Sequence, residues 1–289
     1  MPSPFIKPIP VTSIVTESNT MKQLYKILFI TIFIIFFTAC NGKAVDLGGN
    51  TNSIAESSSQ KYNESSVGKN TPLLREKTTQ LDLAKEENLD TVAWLHIPGT
   101  DIDNPVMQTS NNEDYLKRDE NGKYDIWGSY FADYYSVLAN KDSLLQNTVI
   151  YGHSESTENL DGKRFTQLFC YLDINFLKEN PNINLTVGKE KLTFQIFAVF
   201  FTGTDFYYID PQPSEQGFKK FMSEVNVRNE YLFEGNAVTE QDKLLTLSTC
   251  AYRYDIKKTG NQRLVVMAKL VEDNAQVLQV TANPNPQRP

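Results

Sequence analysis

Beyond residue 90 the chain is dominated by short runs in which apolar side chains alternate with polar ones, the pattern of half-buried strands. "NINLTV" (182–187), "KLTFQIFAVFFTG" (191–203) and "KLLTLSTC" (243–250) read this way, and "NTVIYGH" (147–153) and "QRLVVMAKLV" (262–271) are further strands. "TVAWLHIPGTDIDNPVMQ" (91–108) predicts two short strands around a Pro-Gly turn, and "GSYFADYY" (128–135) another strand. Helical spacing occurs in three places. Residues 73–90 form an amphipathic pattern, residues 164–181 pass from helical spacing to a proline stop, and residues 214–229 place Phe218, Phe221, Met222 and Val225 on one face. The sum is a β-rich barrel or sandwich with one or two peripheral helices.

The first 72 residues follow a different pattern. Lys22 and Lys26 precede an apolar run from Ile27 to Ala39, interrupted only by Thr31 and Thr38. As a helix it would extend roughly 20 Å, short of the ~30 Å hydrocarbon core of a bilayer. Residues 1–40 therefore read as a signal or membrane-anchor segment, with Met21 the more natural start. "FTAC" before Asn41 resembles a bacterial lipobox, which makes Cys40 a lipidation candidate and leaves lipid or signal-anchor as the two modes of attachment. Residues 41–72 are Ser/Asn/Gly-rich and predict a flexible tether with a reach of roughly 30 Å. The expected layout is completed by a catalytic domain over 73–272 and a disordered tail over 273–289. Either mode of attachment places the domain on the extracellular face of the membrane.

Composition narrows the function classes. The formal net charge is −7 with Lys and Arg scattered, so no basic face exists for nucleic acid. Three cysteines (Cys40, Cys170, Cys250) and two histidines (His96, His153) are too few for a Cys/His zinc centre or a disulfide framework. No residue pattern calls for a metal or an organic cofactor. Cys170 in "QLFCYL" and His96 in "WLHIPG" read as structural residues.

Three chemistry-bearing residues stand at strand ends: His153 closes one strand, Cys250 closes another and Arg263 opens a third. A free thiol is only about 3% thiolate at neutral pH, and an imidazole can take its proton and later return one to a leaving amine. A guanidinium is suited to the oxyanion that forms when an amide carbonyl is attacked. Spacing alone leaves two readings of Cys250 open, a quiet core thiol and a nucleophile.

The local segments resemble those of class B sortases, the cysteine transpeptidases that attach proteins to Gram-positive cell walls. "TLSTC" (246–250), "IYGHS" (150–154) and "RLVVMAKL" (263–270) carry the likeness, with "WLHIPGTDIDNPVMQ" (94–108), "NNEDYL" (111–116), "DGKRFTQL" (161–168) and "FQIFAVF" (194–200) in the same order. The resemblance implies an eight-stranded sortase β-barrel with an N-terminal helix and a helix-bearing insertion before the cysteine strand. It implies Cys250 as nucleophile, His153 as acid and base, and Arg263 as the oxyanion or substrate-aligning residue. Ser248 and Thr249 match groove positions beside the cysteine, and Asn112 and Leu116 resemble groove residues nearer the N-terminus. Two departures stand out: "GHS" replaces the more usual "GHN", and Arg253 is a second arginine beside the cysteine.

The implied partners are secreted proteins with a C-terminal sorting motif of the Asn-Pro-x-Thr or Ser/Pro-Pro-x-Thr-Gly kind. The implied acceptor is an amine of peptidoglycan precursor or crossbridge, and the membrane is met through the N-terminal segment. A pilin-polymerising sortase and a non-catalytic surface lipoprotein on the same barrel are the alternatives. No Asp-Pro lid segment precedes the domain to favour the first.

Overall fold

The computed structural model describes residues 79–235, 237–255, 260–271 and 280–286. Its strands are β1 (Thr91–His96), β2 (Asp103–Met107), β3 (Tyr130–Ala132), β4 (Asn147–Tyr151), β5 (Asn182–Val187), β6 (Glu190–Thr202), β7 (Tyr231–Glu234), β8 (Leu244–Cys250), β9 (Arg263–Val271) and β10 (Thr281–Pro284). Eight of them close into a barrel in the order β1-β2-β3-β4-β8-β9-β6-β5. The β2–β3 and β4–β8 pairs are parallel and the other barrel pairs antiparallel. The eight-stranded barrel is the fold the resemblance implies.

Strand burial explains why the alternation differs along the chain. In β1 and β5 every second residue is buried, as expected of strands with one face on the barrel interior. Every residue of β4 and β8 is buried. One face of these strands joins the interior core with Ile150, Leu245 and Leu247, beside Leu95, Phe194 and Val266. The other is covered from outside. There Leu244, Val265 and Met267 pack under Tyr208 of the 203–213 insertion and under Phe218, Phe221 and Val225 of a helix, α3 (Glu215–Arg228). A β-bulge in β6 at Phe197 helps, since Phe197 and Ala198 both join this outer cluster.

The N-terminal helix, α1 (Gln80–Glu87), is shorter than the 73–90 pattern predicts within the described residues. Thr79 and Asp82 start it with a capping box and Asn88 ends it in extended backbone. The 164–181 segment is a 3₁₀ helix (Arg164–Leu172) followed by α2 (Ile174–Glu179). The tail expectation needs correction over 280–286. β10 pairs with β7, Val280 and Ala282 are buried, and Asn285 Nδ2 donates to Asn229 O at 2.9 Å. Two apolar residues around one polar one are too short a pattern to announce a strand. The 1–72 assignments, Cys40 among them, lie outside the described residues.

Gly128 seats the loop that follows Leu116. Its φ is +55°, and a Cβ there would stand 2.3 Å from Tyr115 O, so the position excludes any side chain. The close approach lets Ser129 N reach Tyr115 O at 3.0 Å and starts β3 beside the Tyr115–Leu116 turn.

Candidate active site

Cys250 ends β8 and faces Arg263, the first residue of β9, in the antiparallel register. On its other side β8 runs parallel to β4, with Tyr151 opposite Ser248. Two residues further along each strand come His153 and Cys250. Beyond the end of β4 the alignment is kept by three hydrogen bonds. Gly152 N donates to Ser248 O (3.3 Å), Thr249 Oγ1 to Gly152 O (2.8 Å) and Ser154 Oγ to Cys250 O (2.5 Å). Side chains two apart share a face, so Ser248, Cys250, Arg263 and Tyr151 lie on the outer face, and the continued register brings His153 to the same side. Strand geometry thus assembles the three residues singled out from the sequence.

The imidazole is held from a distant loop. His153 Nε2 lies 2.8 Å from Leu116 O. A carbonyl can only accept, so Nε2 carries hydrogen in this contact and Nδ1 is the basic nitrogen of the neutral ring. Burial pushes the His153 pKa below its ordinary value, with the nearby Arg164 and Lys117 cations adding to the effect, while the Leu116 carbonyl and Asp125 oppose it. Burial raises the Cys250 thiol, and the Arg263 guanidinium opposes that shift. Both directions favour a neutral thiol beside a neutral imidazole at rest.

Arg263 is 3% exposed, and its Nη1 donates to Gly260 O (2.8 Å) and Gln262 O (2.9 Å). Arg253 is different: its side chain is 44% exposed, and it pairs with Glu158 at 2.9 Å. Of the two arginines, Arg263 is the one built into the strand pair with the thiol. His96 stands on β1, on the opposite side of the barrel from β8, with its Nδ1 3.2 Å from Asn184 Nδ2. Cys170 lies half-buried in the 3₁₀ helix, where burial raises its pKa.

The four residues that the resemblance assigns to the groove have these surroundings. Ser248 and Thr249 are buried, with the Ser248 hydroxyl 2.8 Å from Tyr208 Oη and the Thr249 hydroxyl donating to Gly152. Their hydroxyls brace the strands. Asn112 binds Asp133 Oδ2 through Nδ2 (2.7 Å) and accepts from Tyr134 N (3.0 Å), so its amide shapes the wall beside β3. The Leu116 side chain is buried beside Tyr115, Phe131 and Tyr151, and its carbonyl is what meets the site. Sequence reading missed Tyr208, although its place in the insertion before the cysteine strand was a signal. It also left open what Ser154 does: the hydroxyl bonds the Cys250 carbonyl. Among the described residues no group of three or more His, Cys, Asp or Glu stands close enough to hold a metal ion.

A family model, the sortase domain, matches residues 95–271. The chain belongs to the sortase family. Among its relatives, sortase B of Listeria monocytogenes is 36% identical over 185 residues, covering 64% of this chain and 71% of that protein. Sortase B of Staphylococcus aureus is 30% identical over 194 residues, covering 67% and 75%. The structure of a Staphylococcus aureus sortase B–substrate complex superposes with a TM-score of 0.58 at 30% identity, covering 67% of this chain and 85% of that one. Clostridium perfringens sortase B gives 0.57 at 29%, covering 66% and 98%. These matches make the chain a class B sortase, and so a cysteine transpeptidase.

In this sortase the hydrogen bond from Ser154 to the Cys250 carbonyl couples the histidine strand to the cysteine strand. Ser154→Ala should cost about 1 kcal/mol of stability by leaving a buried carbonyl unpaired. It should also lower the peptide-cleavage rate roughly tenfold by loosening the Cys250–His153 alignment. Ser154→Thr keeps the hydroxyl and should stay near wild type. Urea unfolding and a cleavage assay on the same samples check both, and a wild-type rate in Ser154→Ala would remove the alignment role.

Proposed function

We propose that this class B sortase works through Cys250, His153 and Arg263 and transfers secreted proteins to a cell-wall amine by way of a thioester on Cys250. The carrying observation is the strand register, which sets Cys250 across from Arg263 and level with His153. Cys250 Sγ attacks the carbonyl carbon at the scissile bond of a sorting motif. The thiol proton moves to His153 Nδ1, the new C–S bond forms, and the carbonyl oxygen takes up negative charge beside Arg263. When the C–N bond breaks, His153 returns the proton to the leaving amine. The acceptor amine then attacks the thioester, the C–S bond breaks, His153 takes the amine's proton and the thiol is restored.

Arg263 suits the oxyanion because its guanidinium is anchored through Nη1 to two backbone carbonyls, so it is held in place before charge develops. Sorting motifs of the Asn-Pro-x-Thr or Ser/Pro-Pro-x-Thr-Gly kind and a peptidoglycan precursor or crossbridge amine are the substrates this reading assigns. It also places the domain outside the cytoplasm, attached through residues 1–40 either by a lipid on Cys40 or by the apolar run as a signal-anchor. No helix among the described residues is long and apolar enough to cross a membrane.

Cells grown with a clickable fatty acid should label the wild-type chain and not Cys40→Ala. Equal labelling, or none in either, would leave the apolar run as a plain signal-anchor.

Incubation with a panel of motif peptides should give an adduct on Cys250 with the mass of a thioester, absent in a folded Cys250→Ala protein. Adding hydroxylamine or a glycine peptide should speed its release and turn the product from acid to amide. An acid product with every amine would make the chemistry hydrolytic, and turnover by Cys250→Ala would remove the nucleophile assignment.

A further inference from the structure

We infer that the Glu120–Arg164 ion pair is a positioning device for His153, joining the loop that holds the imidazole to the helix that holds the histidine's backbone. The inference rests on the reading of His153 as acid and base. Two contacts of this residue join the two segments. Its ring meets Leu116 O at 2.8 Å, and its own carbonyl accepts from Phe165 N at 2.8 Å. Leu116 leads into a loop that folds back on itself, with Asp125 N on Lys117 O (3.0 Å) and Asp119 N on Lys123 O (2.7 Å). Phe165 lies in the first turn of the 3₁₀ helix. Each segment is fastened to the sheet separately, the loop side through Ser129 N on Tyr115 O (3.0 Å) at the start of β3 and the helix through Phe165 N on the His153 carbonyl.

Glu120 and Arg164 supply the tie. They are 44 residues apart in sequence, and the guanidinium engages both carboxylate oxygens, Nη1 with Oε1 and Nη2 with Oε2 at 3.4 Å. Asp125 Oδ2 adds a weaker contact at 3.9 Å, and the guanidinium lies over the Tyr130 ring at 5.4 Å. Side-chain exposures of 14% for Arg164 and 25% for Glu120 separate this pair from a solvated surface bridge. The Glu120 carbonyl also accepts from Asn88 Nδ2 (2.9 Å), so the loop end of the tie is itself fastened to the end of α1.

The backbone adds an independent observation. Arg164 has φ +55°, a left-handed conformation that a non-glycine residue keeps only where its surroundings over-determine it. This turn brings the chain into the helix so that the next amide, Phe165 N, reaches the His153 carbonyl. The strained residue and the paired residue are the same one. The ion pair holds the side chain of the residue whose backbone sets the histidine.

The pair also sets the charge near the imidazole. The groups around it are Lys117 and Asp125 on the loop, Arg164 on the helix, and Cys250 and Arg263 at the strand ends. Neutralising Glu120 exposes the imidazole to more of the Arg164 cation, which disfavours imidazolium, and removing the guanidinium does the reverse. The two halves of the pair therefore move His153 in opposite directions.

The test uses Glu120→Gln, Arg164→Lys and Arg164→Gly in the full chain. Glycine tolerates the left-handed backbone, so the last variant removes the side chain without adding strain. Glu120→Gln and Arg164→Gly should each lower kcat roughly tenfold with KM for the motif peptide little changed, and Arg164→Lys should recover only part of the loss. The acid limb of the pH–rate profile should move down in Glu120→Gln and up in Arg164→Gly. The imidazole signals of His153, assigned against His96→Gln, should titrate with the same opposite shifts. Lower thermal stability with wild-type kcat and an unmoved titration in both variants would overturn the inference and leave the pair structural. His153→Ala keeps the two readings apart. If it retains activity the acid/base assignment fails, whereas loss of activity there with unmoved Glu120 and Arg164 variants rejects only the positioning role.

Discussion

The parallel pairing of β4 with β8 is the constraint on which the site depends. Strand side chains alternate with a period of two, so a slip of one residue would turn Cys250 into the barrel interior and leave His153 on the other face. The register is pinned below the site by a buried side-chain contact, Thr246 Oγ1 to Asn147 Oδ1 at 2.6 Å. The same Asn147 donates through Nδ2 to Tyr208 O and Asp210 O, both at 3.1 Å. One asparagine thus aligns the two strands and fastens the insertion that covers them. Above it, the hydroxyls of Thr249 and Ser154 carry the alignment past the end of β4 to His153 and Cys250.

Covering these strands on both faces has an electrostatic consequence. Burial stabilises the neutral forms of Cys250 and His153, so the resting thiol is a poor nucleophile. In the proposed mechanism reactivity depends on groups fixed in place before substrate arrives: an imidazole held through Nε2 and a guanidinium anchored on backbone carbonyls. The lower dielectric of the buried site strengthens the interaction between Arg263 and the charge that develops beside it. The barrel therefore supplies preorganisation rather than a permanently activated thiolate.

A β-rich barrel or sandwich was legible from the longer strands, and the closed eight-stranded barrel from the resemblance of the segments. β7 and β10 were not, being four residues each and partly exposed. Cys250, His153 and Arg263 could be found because each stands at the end of a strand within a recognisable segment. The residues that hold them were less visible. Leu116 acts through its carbonyl, which no side-chain pattern reports. Ser154 and Arg164 act through partners 96 and 44 residues away, contacts that only the closed barrel and its loops create. Ser248 and Thr249, which the resemblance assigns to the groove, have hydroxyl partners on the insertion and the neighbouring strand that no local pattern announces.

The most direct test of this account is the pH dependence of the rate at which a motif peptide acylates Cys250. A neutral thiol and a neutral imidazole at rest predict a broad bell. Its acid limb should fall below the ordinary imidazole range and its alkaline limb above the ordinary thiol range, and His153→Gln should abolish the acid limb. A thiolate already formed at neutral pH, seen as an alkaline limb below the ordinary thiol range or as a rate indifferent to His153→Gln, would contradict it.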